Sequence, residues 1–125
     1  MRLLLDTHVA LWAMQGSRAL SVRARRFLRD ATAVHVSAAS LWEIAIKSSL
    51  GKIDIDIDVF ASKLSEAGFL PLPVTWAHAA QSRKLPRLHR DPFDRMLVAQ
   101  AICEPLRLLT HDAALARYSD LVALI

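Results

Sequence analysis

The stretch His89-Arg90-Asp91-Pro92-Phe93-Asp94-Arg95-Met96-Leu97-Val98-Ala99-Gln100-Ala101 reads as the start of a helix and its approach. Asp91 suits the N-cap and Pro92 the first helical position, because proline's fixed φ matches that turn and its missing N–H has no intrahelical partner to lose. Phe93, Met96, Leu97, Ala101 and Cys103 fall toward a core. Asp94 stands at the third helical position between Arg90 and Arg95. An acid there complements the helix dipole and by itself requires no function. Three further acids at comparable junctions give it weight.

Working outward, the pattern alternates strand and helix. Arg2 to Leu5 is a short apolar strand ending at Asp6, and His8 to Met14 is a helix stopped by Gly16. Ser21 caps a second helix, with Val22, Phe27, Leu28 and Ala31 inward and its arginines in water. Ala33 to Val36 is a strand broken at Ser37, and a helix from Ala39 to Leu50 ends at Gly51. Ile53 to Asp58 alternates like an edge strand or an extended connection into a helix over Val59 to Ala67. It is not a calcium loop: counted from Asp54, the sixth and twelfth places hold Val59 and Ser65 where Gly and Glu are needed. Phe69 to Leu72 is a strand, Thr75 caps a helix over Trp76 to Lys84, and Leu85 to Arg90 is a loop. After the helix begun at Pro92 come a strand at Leu106 to Leu109, a turn at Thr110 to Asp112, a short helix at Ala113 to Arg117 and a strand at Leu121 to Ile125. This order predicts an α/β fold: a three-layer α/β/α sandwich around a mostly parallel sheet of four or five strands, with residues 1–125 forming one domain.

Composition narrows the setting. No apolar run approaches the ~18 residues needed to cross a bilayer, and the start lacks the long apolar region of a secretion signal. The single cysteine, Cys103, permits no internal disulfide. A cytoplasmic protein is expected. Sixteen Lys and Arg against twelve Asp and Glu give a net charge of +4, which favours an anionic partner.

In a parallel sheet with right-handed crossovers, the strand C-termini share one edge, and ligands bind there near the point where strand order reverses. Asp6 follows the first strand, Asp112 follows the strand at Leu106 to Leu109, Glu43 lies in the first turn of the helix after the second strand, and Asp94 opens its own helix. Each has an ordinary use: Ser40-x-x-Glu43 is a capping box, Asp91 and Asp112 are N-caps, and Asp6 caps the first helix. Four acids on one edge nevertheless repel one another unless a cation neutralises them, and oxygen ligands without cysteine suit Mg²⁺ or Mn²⁺. His8, His89 and His111 lie near that edge without zinc-type spacing, whereas His35 and His78 read as structural. Arg83, Lys84, Arg87, Arg90 and Arg95, with His89, form a basic rim around the acids, suited to a nucleic-acid backbone or to a solvated face. Trp12, Trp42 and Trp76 read as core or interface residues.

Four segments together resemble the PIN-domain ribonucleases, specifically the VapC-type toxins of bacterial toxin–antitoxin pairs. They are Leu3-Leu4-Leu5-Asp6-Thr7-His8, Val36-Ser37-Ala38-Ala39-Ser40-Leu41-Trp42-Glu43-Ile44, Asp91 to Ala101 as quoted above, and Leu109-Thr110-His111-Asp112. The resemblance covers nearly the whole chain. It implies that Asp6, Glu43, Asp94 and Asp112 are the acidic quartet, accompanied by Thr7 and Thr110, with Asp91 as an additional acid. It further implies cleavage of RNA phosphodiesters, with Asp6, Asp94 and Asp112 holding Mg²⁺ or Mn²⁺ and Glu43 orienting water or completing the carboxylate set. Arg87, Arg90 and Arg95 are the expected RNA contacts, and a homodimer and a small neutralising antitoxin the expected partners.

Rival readings fit less well. A phosphorylation receiver wants paired acids after its first strand and a late lysine, but Asp6 is followed by Thr7-His8 and no lysine follows Lys84. An aspartate-nucleophile hydrolase wants Asp-x-Asp where His8 stands. A catalytically silent RNA- or partner-binding module of the same fold remains the alternative.

Overall fold

Alternation along the first strand sets the layers. In the computed structural model, which describes residues 1–125, Leu3, Leu4 and Leu5 of β1 (Arg2–Leu5) are all fully buried. Side chains alternate across a strand, so Leu3 and Leu5 face one side and Leu4 the other. The first side packs against Val9 and Ala10 of α1 (Thr7–Gln15), Ala24 of α2 (Val22–Asp30), Ile44 of α3 (Ala38–Ser49), and Phe60 and Leu64 of α4 (Ile57–Glu66). Leu4 packs with Leu97, Val98 and Ala101 of α6 (Pro92–Cys103) and with Leu85, at the end of α5 (Trp76–Lys84). These are the expected three layers.

The sheet is entirely parallel. Its order is β3 (Leu70–Leu72), β2 (Ala33–Ser37), β1, β4 (Arg107–Thr110), β5 (Val122–Leu124). Leu5 pairs with Val36 on one side and Leu109 on the other. The chain builds outward from β1 through β2 to β3, then returns to start again at β4 on the other flank. Strand order therefore reverses between β1 and β4, and a crevice opens at their C-terminal ends.

Local chemistry places the helices much as the sequence predicts, with informative exceptions. Asp91 Oδ1 accepts the N–H groups of Phe93 and Asp94, and Pro92 occupies the first turn. Thr75 caps α5, with His78 completing the box by accepting the Thr75 N–H. Ser40 does not cap α3: Ser37 accepts the Ala39 N–H, so β2 runs straight into the helix. Glu43 consequently lies in the second turn, not the first. Ile53 to Asp58 forms no strand; its first four residues are the connection and its last two open α4, because Asp56 accepts the N–H groups of Asp58 and Val59 and starts the helix at Ile57. Val22 is exposed, Ala24 taking the inward position on α2, and Cys103 is exposed at the end of α6.

The cap assignment is testable. Ser37→Ala should cost about 1 kcal/mol in urea denaturation with an unchanged slope.

Candidate active site

The crevice between β1 and β4 gathers carboxylates from three separate segments. Asp6, Asp94 and Asp112, with His8, His111 and Ala113, line a cavity of about 350 Å³. Asp6 is 3 % exposed and anchored on every side. Its N–H donates to the Leu109 carbonyl at 3.0 Å, extending the β1–β4 ladder by one step. Its Oδ1 accepts the Val9 N–H at 2.8 Å and caps α1, while its Oδ2 accepts the Thr110 hydroxyl at 2.5 Å. Capping and site-building are therefore not competing uses: one oxygen serves the helix and the other faces the strand across the crevice.

Asp94 is delivered by the first turn of α6. Asp91, three residues earlier, accepts two backbone N–H groups of that turn at its Oδ1, so Asp91 starts the helix and Asp94 lines the cavity. Asp112 leaves β4 in a turn, where its N–H donates to Thr110 Oγ1 and its Oδ1 accepts the Ala114 N–H at 2.9 Å. Glu43 reaches toward the same region from α3 and is 6 % exposed. Its Oε1 accepts the Thr7 hydroxyl at 2.7 Å and its Oε2 is paired with Lys47 at 2.8 Å, one turn along the helix. Ser40, the residue once expected to cap α3, is buried 3.0 Å from Thr7 Oγ1 and joins this network.

The electrostatics are those of an uncompensated acidic cluster. Burial raises the Asp6 carboxyl above its usual range, against the opposing hydrogen bonds from Thr110 and Val9. Asp94 is pushed up to about 7, first by burial and then by Asp91, with Asp6 and Glu43 adding repulsion and His89 opposing it. Oxygen donors whose negative charge is this disfavoured fit a hard divalent cation, which would restore both carboxylates to their ionised form.

Next to the acids lies a basic cavity of about 590 Å³ lined by Arg87, His89, Arg90 and Arg95. Arg87 and Arg90 are exposed. Arg95 is not free in the same way: its terminal nitrogens donate to the carbonyls of Ser82, Leu85 and Pro86 and to the Tyr118 hydroxyl. That guanidinium clamps the α5–α6 loop from within, which narrows the expected RNA-facing arginines to Arg87 and Arg90.

Two sets of contacts go beyond the residue pattern, which places His8, His89 and His111 near this edge without assigning them partners. His89 reaches between the acids, its Nε2 3.1 Å from Asp112 Oδ2 and 3.7 Å from Asp94 Oδ2. The available signal was its place two residues before the Asp91 cap, where a ring nitrogen can accept the cap's own N–H. On the opposite rim His8, Trp12 and His111 form an aromatic cluster, with Trp12 and His111 centroids 4.8 Å apart.

This site sits at the reversal point of a parallel α/β sheet, and the chain belongs to the PIN domain family, whose model matches residues 3–121. It is 33 % identical over 115 residues to Ribonuclease VapC22 of Mycobacterium tuberculosis, spanning 90 % of this chain and 88 % of that protein. Solved structures share the fold. VapBC2 from Rickettsia felis, bound to a DNA fragment from their promoter, superposes with a TM-score of 0.70 at 15 % identity over 100 % of this chain and 98 % of that one. A toxin–antitoxin complex from Klebsiella pneumoniae gives 0.68 at 16 % identity, over 97 % and 95 %. The Mycobacterium tuberculosis VapC20, a Sarcin–Ricin loop cleaving toxin, gives 0.60 at 16 % identity, over 94 % and 97 %. Likeness at these identities is likeness of fold.

The raised Asp94 carboxyl has a consequence for stability. Its folded value of about 7 exceeds the ordinary 3.8, so the folded chain holds that proton more tightly than the unfolded chain. The resulting stabilisation is complete below pH 3.8 and is lost as pH rises through about 7. Asp94→Asn should therefore stabilise the metal-free protein at pH 8 by roughly 2–4 kcal/mol, an advantage that shrinks at pH 5. Thermal melts in chelator at the two pH values check this; equal shifts at both would contradict it.

Proposed function

We propose that residues 1–125 act as a single PIN-domain unit, a metal-dependent endoribonuclease and the toxin of a toxin–antitoxin pair. The observation that carries this reading is the meeting of Asp6, Asp94 and Asp112 around one cavity, from the ends of β1 and β4 and the start of α6, with Asp6 and Asp94 resisting ionisation. Likeness to a curated ribonuclease at 33 % identity supports the substrate class. The protein's own charge agrees, since the acidic cavity is bordered by Arg87 and Arg90.

In this reading Asp6, Asp94 and Asp112 hold Mg²⁺ or Mn²⁺, as their oxygen-only chemistry favours. When bound, the ion supplies Lewis-acid stabilisation of charge on the scissile phosphate and acidifies water. Asp6 is the fixed point, since its backbone and both oxygens are tied to β4 and α1. Glu43, held by Thr7 and Lys47, orients the attacking water or completes the carboxylate set. Arg87 and Arg90 grip flanking phosphates and set the register of the strand over the acids.

The partners follow the same reading. Related structures are toxin–antitoxin complexes, and we assign this chain a small antitoxin that blocks the acidic cavity. A homodimer has apolar surface available: Trp76 is 95 % and Trp42 64 % exposed, and Trp42, Val74, Phe93 and Met96 line an open groove. No helix is long and apolar enough to cross a membrane, and we place the protein in the cytoplasm.

The deciding experiment incubates antitoxin-free protein with structured and single-stranded RNAs in Mg²⁺, Mn²⁺ or chelator. Cleavage should require the metal and vanish in Asp6→Asn and Asp94→Asn with folding intact. Binding without cleavage in any metal would instead favour the silent RNA-binding module. A second outcome concerns the basic cavity. Replacing Arg87 and Arg90 together with Ala should raise KM about tenfold or more while kcat changes little. If both contact single-stranded RNA phosphates, the log–log salt slope should flatten by about 1.4.

A further inference from the structure

We infer that His89 is a positioning residue for the carboxylate site and not one of its metal ligands, an inference that rests on the metal-site reading above. Distance alone points the other way: ligand atoms of His89, Asp94 and Asp112 all lie within 4.8 Å of one another, close enough to surround a cation. The placement of protons decides against it.

His89 Nδ1 accepts the backbone N–H of Asp91 at 3.1 Å. A backbone amide only donates, so Nδ1 is unprotonated and the neutral ring carries its hydrogen on Nε2. A ring nitrogen bearing a hydrogen has no lone pair to give a cation. Ligation through Nε2 would require the hydrogen to move to Nδ1, where it would face the Asp91 N–H and strip that amide of its acceptor. The cost falls at the N-cap of α6, the residue that positions Asp94.

In the tautomer the backbone dictates, Nε2–H donates to Asp112 Oδ2 at 3.1 Å. Asp112 Oδ1 already accepts the Ala114 N–H, so the two bonds fix the carboxylate plane from opposite sides. Each oxygen keeps a further lone pair, which leaves the carboxylate free to ligate while unable to swing away. Asp112 needs this support, because it lies in a turn beyond the end of β4. His89 thus links the loop before α6 to the turn after β4, and its contact to Asp94 Oδ2 at 3.7 Å is too long for a hydrogen bond.

The chain uses the same arrangement where no cation is involved. His78 Nδ1 accepts the Thr75 N–H at 3.0 Å, and its Nε2 lies 2.6 Å from Glu104 Oε2. There too a backbone amide at a helix start sets the tautomer, and the freed N–H orients a carboxylate.

The test uses Mn²⁺ with the full-length, antitoxin-free chain. Pulsed EPR of the bound ion should show no coupling to a directly ligated imidazole nitrogen. In Mn²⁺ titrations followed by EPR, His89→Ala should weaken affinity about 10–100-fold. His89→Gln, whose amide N–H reaches the former Nε2 position, should recover most of it. A ligated-nitrogen signal in the wild type that disappears in His89→Ala would overturn the inference, as would unchanged affinity in His89→Ala. Should His89→Ala fail to fold, His89→Gln takes its place in the spectral comparison: a ligated-nitrogen signal lost in His89→Gln would overturn the inference, and no such signal in the wild type would uphold it. Absence of Mn²⁺ binding by the wild type, or equal binding by Asp94→Asn, would bring down the metal-site reading itself and this inference with it. A ligated His89 would leave the metal site standing.

Discussion

A carboxylate buried at the seam of two parallel strands is the constraint from which the site follows. Asp6 lies where β1 ends, and its desolvation is opposed by bonds from Thr110 and from the first turn of α1. Those bonds hold the acid in place without neutralising it. Asp94 and Asp112 then converge on the same cavity, and repulsion adds to burial in raising Asp94. The framework that holds these unfavourable charges is built on β1. Leu3, Leu4 and Leu5, just before Asp6, are fully buried and bound to strands on both sides.

The loop between α5 and α6 is organised with equal economy. Arg95 bonds two of its carbonyls, and that of Ser82 in α5, from the inside, His78 and Glu104 tie the start of α5 to the end of α6, and His89 reaches from the loop's end to Asp112. That loop also carries Arg87 and Arg90, so one segment lines the basic cavity and supplies the His89 bond to Asp112. Were Arg87 and Arg90 to bind phosphates as proposed, that shared loop would set where the backbone lies relative to the carboxylates, the positional control that phosphodiester hydrolysis needs.

Fold likeness and site chemistry carry different parts of the functional argument. A parallel sheet with ligand chemistry at its reversal point hosts many activities, and structures at 15 % or 16 % identity testify only to the architecture. The 33 % identity to a ribonuclease over most of the chain narrows the family. The physical case for hydrolysis lies in the three converging acids and the arginines beside them. Glu43 shows how the residue pattern and the structure diverge: its spacing from Ser40 looked like a cap, yet Ser37 takes that role. Ser40 and Glu43 are released to a buried network with Thr7.

What the amino-acid order determined by itself was most of what neighbours within about four residues govern, the cap of α3 at Ser37 being the exception. Leucine alternation, the Asp91-Pro92 start, the Thr75 cap and the glycine stops depend on local backbone geometry, so the strands, the helices and the junctions bearing the acids were legible. Only the tertiary structure decided which oxygen of Asp6 meets Thr110, 104 residues away. It alone showed that Arg95 turns inward and His89 toward Asp112, and that burial and neighbouring acids push the Asp94 carboxyl up to about 7. Desolvation and repulsion depend on what surrounds a group in space. No periodicity or spacing encodes them until the two halves of the sheet have closed around the crevice.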